Sequence, residues 1–426
     1  MKLLVVVPYF PYANHPFSGA FNERTVQMLK NCCECVEVLV PRPYTPTLLS
    51  KCSPRWRAYA NIPVFELRKD IPIYRPGYFS FPKIGEGIIR EISCYMSSRT
   101  VARKRHNQIG FDAIVSFGLF GAGSLAWRLG NDLGIPACGW GTGGDLAQPP
   151  GTIRERVVLK ALGSLDLVFY QSYELMNRAA TILNIKPQQM NPQKHIVLAR
   201  GIGEPPPLKR DQVRKHFRSQ WELTDEHIVV MNIGRAVREK GIFELFEVAE
   251  KTRLLNDRLH FVWIGAQEGF DDGPEIRHYL KKNVGLGARF HFLPGCPPDE
   301  VWQYLCAADI FVFPSHHTEG MPNALLEAMR MGVPAVAFGI PCVSEIDTGL
   351  GALFSVPPWD IDRFGQAILQ LANDSGQRKH VGQRGREVVV SRFLMKENMK
   401  KALAHIESFL PPPRGILPAN RFVVNN

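Results

Sequence analysis

The sequence predicts an α/β protein made of two Rossmann-like domains that face each other across a cleft. Three observations carry this. Short, nearly uninterrupted apolar runs alternate with longer mixed stretches in two successive blocks. Runs of that kind suit strands of a parallel sheet covered on both faces. The segment G-I-G-E-P-P-P-L-K-R at 201–210 separates the blocks. Three consecutive prolines disfavour helix and sheet and stiffen a connection. Finally, the chain has 426 residues, 45% of them apolar. At that length two cores of about 200 residues each are the natural arrangement.

In the first block, a strand is expected at 3–7, a helix at 20–31 and a strand at 36–40. Further strands follow at 112–117, 135–139, 166–171 and 195–199. The stretch 41–87 is rich in Pro, Tyr and Arg and yields no clear element. In the second block, strands are expected at 228–233, 260–264, 288–293, 309–314, 333–338 and 353–356. The domains are therefore placed at 1–200 and 201–393.

Charge narrows the partners. There are 51 basic and 40 acidic residues, a net charge of +11. That excess favours nucleotide phosphate, anionic lipid or nucleic acid. No RNP, zinc-finger or helix-turn-helix pattern appears, so nucleic acid is not expected. No run of 18 apolar residues exists, so no transmembrane helix is expected. The opening L-L-V-V-V-P is read as a first strand rather than a signal peptide, because Pro8 ends it and no cleavage site follows. Of the nine cysteines, Cys32 and Cys35 form a C-x-x-C without a second metal-spaced pair. Reduced thiols of a cytosolic protein are expected, and no bound metal.

The most specific string is S-H-H-T-E-G-M-P-N-A-L-L-E-A-M-R-M-G at 315–332. Pro322 suits a first helical position, and Gly332 lies just past the last turn. A strand, a polar loop carrying Glu319 and Gly320, and a helix carrying Glu327 make an anion site at the carboxyl edge of a parallel sheet. A second string, G-R-A-V-R-E-K-G-I-F-E-L at 234–245, follows the strand 228–233. Gly234 permits a tight turn and Gly241 opens the next helix. Arg235 and Lys240 then stand at the same edge, a planar fork and a point charge suited to a diphosphate. A solvated basic turn, with Arg238, is the plainer account of that string.

Together these strings resemble the GT-B glycosyltransferases, in particular the retaining family four and its bacterial exopolysaccharide and teichuronic-type members. The resemblance spans nearly the whole chain, is strongest from 228 to 360 and is weak from 41 to 110. It implies that Arg235 and Lys240 bind the diphosphate of a nucleotide sugar. Glu327 would accept from the ribose hydroxyls. Glu319, with the backbone of Gly320, Met321, Pro322 and Asn323, would hold the sugar. It also implies a final helix, at about 394–426, that crosses back to the first domain. After the first strand, one glycine, Gly19, stands where many relatives have two, beside the donor diphosphate. After the fourth predicted strand, G-W-G-T-G-G-D lacks the histidine that many relatives carry. Asp145 matches the aspartate that often ends that motif, which implies that it holds an acceptor hydroxyl or polarises a water. Capping a helix is its plainer use.

The implied function is retaining, metal-independent transfer of a sugar from a UDP- or GDP-linked donor to a lipid-linked or polysaccharide acceptor. Glu319 and Asp145 are the catalytic candidates, and no cofactor is expected. A sugar-nucleotide 2-epimerase of the same fold and a non-catalytic nucleotide-binding module are the alternatives. An NAD oxidoreductase is disfavoured, because no G-x-G-x-x-G follows the first strand. Aromatic and basic residues mix over 78–106, with Arg55-Trp56-Arg57 nearby. They suggest an anionic membrane surface, and hence a peripheral protein on the inner face of the cell membrane.

Overall fold

The carboxyl ends of two parallel sheets meet across the middle of the molecule. The computed structural model describes residues 1–410 except 14, 16, 17, 47–50, 52, 53, 80–87, 267–271, 284, 285, 287, 318 and 348. The first ten strands are β1 (Lys2–Val6), β2 (Cys35–Leu39), β3 (Arg42–Pro43), β4 (Phe65–Arg68), β5 (Ile71–Tyr74), β6 (Gly77–Tyr78), β7 (Ala113–Phe117), β8 (Ala137–Gly141), β9 (Leu167–Tyr170) and β10 (His195–Val197). Eight of them form one sheet in the order β10-β9-β8-β7-β1-β2-β5-β4, and β3 and β6 pair separately. The second domain has β11 (Ile228–Ile233), β12 (Leu259–Ala266), β13 (Phe290–Pro294), β14 (Ile310–Phe313), β15 (Ala335–Phe338) and β16 (Phe354–Val356), in the order β13-β12-β11-β14-β15-β16. Strand order reverses between β1 and β7 and between β11 and β14. Ligands of open α/β sheets bind at such reversals.

Each expected strand is present within a few residues. The strand expected at 135–139 runs instead over Ala137–Gly141. Its glycines are packing positions, since a Cβ on Gly139 would lie 2.7 Å from Leu165 Cδ1. The stretch 41–87 corrects the reading more. There β5 extends the sheet parallel to β2, and β4 returns antiparallel as its edge. Lys69 and Asp70 join them in a two-residue turn, both with positive φ (49° and 57°). A Lys-Asp pair lacks the usual Asn-Gly signature of such a turn, which is why the hairpin was not legible.

The two domains are joined twice, side by side. Ile202 in the linker accepts from Met395 N at 2.8 Å and donates to Phe393 O at 2.9 Å. Gly201 (φ 78°) is needed there, because a Cβ would sit 2.5 Å from the Phe393 carbonyl oxygen. The last helix, Met395–Glu407, does cross back. Its Met399, Ala402 and Ile406 are buried in the same core as Leu3, Val26 and Leu29. It is shorter than the expected 394–426, and residues 411–426 lie outside the described residues.

Candidate functional site

The sequence builds the second-domain wall of the cleft from two loop-to-helix turns. After β14, Pro322 caps the helix Asn323–Arg330, and Leu326 N donates back to Pro322 O at 3.1 Å. The first backbone N–H groups of this helix lack intrahelical partners and border the cleft. Its far end is a Schellman motif: Val333 N donates to Ala328 O, and Gly332 N to Met329 O. Leu325, Leu326, Ala328 and Met329 are fully buried, so packing fixes the helix and the direction of its N-terminus.

Gly241 locks the second turn to the first. It has φ 80°, and a Cβ there would collide with the Pro314 carbonyl. The close crossing brings Lys240 onto Glu319, and the two form an ion pair. Ser315 Oγ lies 3.2 Å from the same Glu319 oxygen. Gly265 likewise lets β12 pass the Gly234 carbonyl. Arg238 does not join this cluster. It pairs with Glu275 across the surface and stacks over Phe243.

Two adjoining cavities of about 630 Å³ each occupy the cleft. Lys240, Gly320, Met321 and Asp145 line the first. Arg235 and Glu327 line the second, with Ile264, Pro294 and Val301. Asn323 and the Gly234 turn are common to both. Arg235 and Lys240, read from the sequence as one diphosphate clamp, therefore face different cavities on either side of one turn. Glu327 is only 4% exposed, and Arg24 Nη1 of the first domain donates to it at 2.7 Å. Burial pushes the Glu327 carboxyl above its ordinary range, and Arg24 opposes that.

On the first-domain wall, Asp145 is buried beneath the loop after β7. One oxygen accepts from Leu119 N (2.9 Å), Thr142 N (3.0 Å) and Thr142 Oγ1 (2.7 Å), and the other from Phe120 N (3.1 Å). Burial raises its carboxyl above the ordinary range, and these four bonds oppose the shift. It thus ties two loops together at the edge of the first cavity. Gly19 takes φ 69° because a Cβ would sit 2.6 Å from the Tyr9 carbonyl carbon. It serves that close approach, and Phe21 and Asn22 beyond it reach the cavity. Of the loop read from 9 to 19, residues 14, 16 and 17 lie outside the described residues.

Three cleft residues were missed in the sequence. Arg24 sits in the first turns of its helix, where a cation is electrostatically disfavoured, and that misplacement was the available signal. Arg200, on the last segment before the linker, is 7% exposed and lines both cavities. Asn232, in β11, donates to Val312 O while its buried Oδ1 has no partner. A polar residue inside an apolar strand was the signal for Asn232. Nothing local marked Arg200.

Among the described residues no group of three or more His, Cys, Asp or Glu could hold a metal, and the eight described cysteines are free thiols. His316 is occupied by the Arg238 carbonyl at 3.1 Å and by the Trp359 ring. No helix of the described residues is long and apolar enough to cross a membrane. In the basic stretch 78–106, Arg99 and Arg103 pair with Asp132, and Arg105 with Glu37. Those cations are engaged within the chain. Ile89, Ile92 and Met96 remain exposed along one helix. Phe81 and Lys83 lie outside the described residues, as does the side chain of Arg55.

Comparison with known proteins agrees with this architecture. Residues 213–388 match the family described as Glycosyl transferases group 1. A Bacillus subtilis protein named for teichuronic acid biosynthesis, the glycosyltransferase TuaC, is 26% identical over 95% of this chain and 97% of its own. The Staphylococcus aureus capsular polysaccharide biosynthesis glycosyltransferase CapM is 24% identical over 46% of this chain and 50% of its own. Among solved structures, Anabaena HepE in complex with UDP superposes with a TM-score of 0.70 at 15% identity, over 96% of this chain and all of that one. WaaG, a lipopolysaccharide glycosyltransferase, gives 0.64 at 14% identity, over 94% of this chain and 98% of its own. The chain has the GT-B fold, and its residues 213–388 match the group 1 glycosyltransferases.

Proposed function

We propose that this chain is a retaining glycosyltransferase of cell-envelope polysaccharide synthesis that takes its sugar from a UDP- or GDP-linked donor. One observation carries the reading. Two cations, a carboxylate and the N-terminus of the helix Asn323–Arg330 converge on a cleft at the β11/β14 reversal. That set suits a nucleoside diphosphate. The relatives named for teichuronic acid and capsular polysaccharide support the class of product, and the UDP and UDP-glucose complexes of HepE support the class of donor.

In this reading the nucleoside lies in the Ile264–Pro294 cavity, with its ribose hydroxyls donating to Glu327. The diphosphate spans the Gly234 turn, between Arg235 and Lys240, against the N–H groups of Asn323 and Ala324. Charge building on the leaving phosphate is then met by fixed donors, with no metal or cofactor assigned a part. Glu319 orients both the Lys240 ammonium and a sugar hydroxyl, and the backbone from Gly320 to Asn323 frames the sugar. Asp145 acts as a positioning residue, because its oxygens already hold the two loops that shape the acceptor side. The acceptor hydroxyl attacks on the face the diphosphate leaves, and a departing phosphate oxygen takes its proton. The acceptor is lipid-linked or a growing glycan. The exposed Ile89, Ile92 and Met96 suit contact with the inner surface of the cell membrane.

The test is calorimetry with UDP and GDP on wild type and Lys240→Ala, followed by a donor screen that scores nucleotide release. Losing Lys240 is expected to cost about 3 kcal/mol of transition-state stabilisation. Unchanged turnover together with unchanged nucleotide affinity refutes the assignment. Nucleotide release that needs no acceptor would favour the 2-epimerase.

A further inference from the structure

The first-domain wall of the cleft carries positive charge that the donor site does not use. The end of β7 and the loop that leaves it present two aromatic rings, Phe117 and Phe120. Arg90 and Arg154 both lie against Phe120, with guanidinium carbons 5.4 and 5.6 Å from the ring centre. Arg200 lies against Phe117 at 5.3 Å and against Phe21 at 5.2 Å. All three arginines line the first cavity. Among the described residues none of the three has a carboxylate within ion-pair distance, whereas Arg24, Arg75, Arg105 and Arg218 each do.

The balance of charge within that cavity is uneven. Among the described residues the carboxylates that line it are Glu319 and Asp145. Glu319 is paired with Lys240. Asp145 gives its direct contacts to Thr142 and to backbone N–H groups, and acts on Arg200 only through space. One Arg200 nitrogen bonds Asn22 Oδ1 at 3.1 Å. Burial alone holds its guanidinium down at about 10. A buried cation with so little compensation is expensive unless an anion arrives to meet it. Guanidiniums stacked on aromatic rings are held in orientation and keep their N–H forks free for phosphate or carboxylate.

We propose that Arg90, Arg154 and Arg200 form a subsite for an acceptor that itself carries a phosphate or carboxylate group. The proposal rests on the glycosyltransferase reading, because it assigns the first cavity to the acceptor. It gives Asp145 a purpose as well. By accepting from Leu119 N and Phe120 N, Asp145 fixes the loop whose Phe120 ring holds Arg90 and Arg154. A neutral acceptor would leave the three cations unmet. A charged one is drawn in and also oriented, with its attacking hydroxyl turned toward the sugar near Glu319.

The test uses the full chain saturated with UDP, so that the donor site is occupied. Three probes are titrated by calorimetry: a neutral disaccharide, the same disaccharide with a terminal glucuronate, and the same disaccharide on a short prenyl diphosphate. At least one charged probe is expected to bind tenfold or more tighter than the neutral one, with an advantage that shrinks as salt rises. Whichever charged probe binds tells a lipid diphosphate from a uronate glycan. The double variant Arg90→Gln, Arg154→Gln changes half-buried and exposed side chains, and is expected to lose that advantage while UDP affinity stays within twofold. Arg200→Lys, which keeps the charge but not the fork, is expected to weaken the charged probe several-fold and to spare the neutral one. Equal binding of neutral and charged probes, binding of none, or charged-probe affinity untouched in the double variant overturns the proposal. Arginine-dependent binding of a charged probe without any UDP binding would sink the glycosyltransferase reading and leave the anion subsite standing.

Discussion

Replacing Gly241 with Ala should dismantle the donor edge of the cleft through the backbone alone. Gly241 holds φ 80° directly under the Pro314 carbonyl. An L-residue in that left-handed conformation costs about 1–2 kcal/mol. The added Cβ would also lie 2.6 Å from the Pro314 carbonyl carbon, so one strand of backbone must retreat by most of an ångström. Overpacking of that kind costs about 1–3 kcal/mol. The two effects amount to roughly 2–5 kcal/mol, which lowers the melting temperature of a domain this size by about 4–20 °C. The retreat separates Lys240 from the Glu319 loop, so affinity for UDP or GDP should fall at least tenfold in the folded variant. Gly163→Ala is the control. It lies at an exposed helical position with open space around its Cβ, and should be neutral or gain about 0.5–1 kcal/mol. Scanning calorimetry and nucleotide titration on the three proteins decide the matter. A Gly241→Ala protein that melts within a degree of wild type refutes the steric argument. One that melts early but binds nucleotide normally refutes the link between this crossing and the site.

Glu319→Gln and Glu327→Gln should differ: Glu327→Gln is expected to raise the donor KM about tenfold or more by weakening ribose hydrogen bonds to a charged acceptor. Glu319→Gln should lower kcat more than it raises KM, and steady-state kinetics with both variants would expose any equality. Acid should destabilise the fold between about pH 6.5 and pH 4. Burial holds both His195 and His260 down at about 4, and His195 Nδ1 lies within hydrogen-bond distance, 2.8 Å, of the Tyr170 hydroxyl. The unfolded chain binds those protons near 6.5, so stability present above that pH is lost as pH falls toward 4. Urea titrations from pH 8 to 4 should show the midpoint dropping through that window, and less so in His195→Asn. Ile92→Glu with Met96→Glu should abolish flotation on vesicles rich in anionic lipid, and equal flotation of variant and wild type would remove the membrane from the account.

The sequence by itself determined the two-domain α/β plan. Apolar runs such as I-V-V-M-N-I and F-V-F-P can only be strands buried on both sides, and G-E-P-P-P can only be a connection. It also placed Lys240, Glu319 and Glu327 at one sheet edge, because strand, turn and helix succeed each other within a dozen residues there. Local order in the chain is local order in space over such distances. The hairpin of β4 and β5 stayed hidden because Lys69 and Asp70 turn it without glycine, against ordinary turn preferences. Arg235 and Lys240 were separable only once the backbone was seen to pass beneath Pro314. Arg24 and Glu327, 303 residues apart, and the three arginines around Phe117 and Phe120 are joined by the packing of helices from distant parts of the chain. No periodicity encodes which side chain a helix from one domain presents to the other. The cleft's charge balance was therefore decided by tertiary structure, while the elements that line it were written locally.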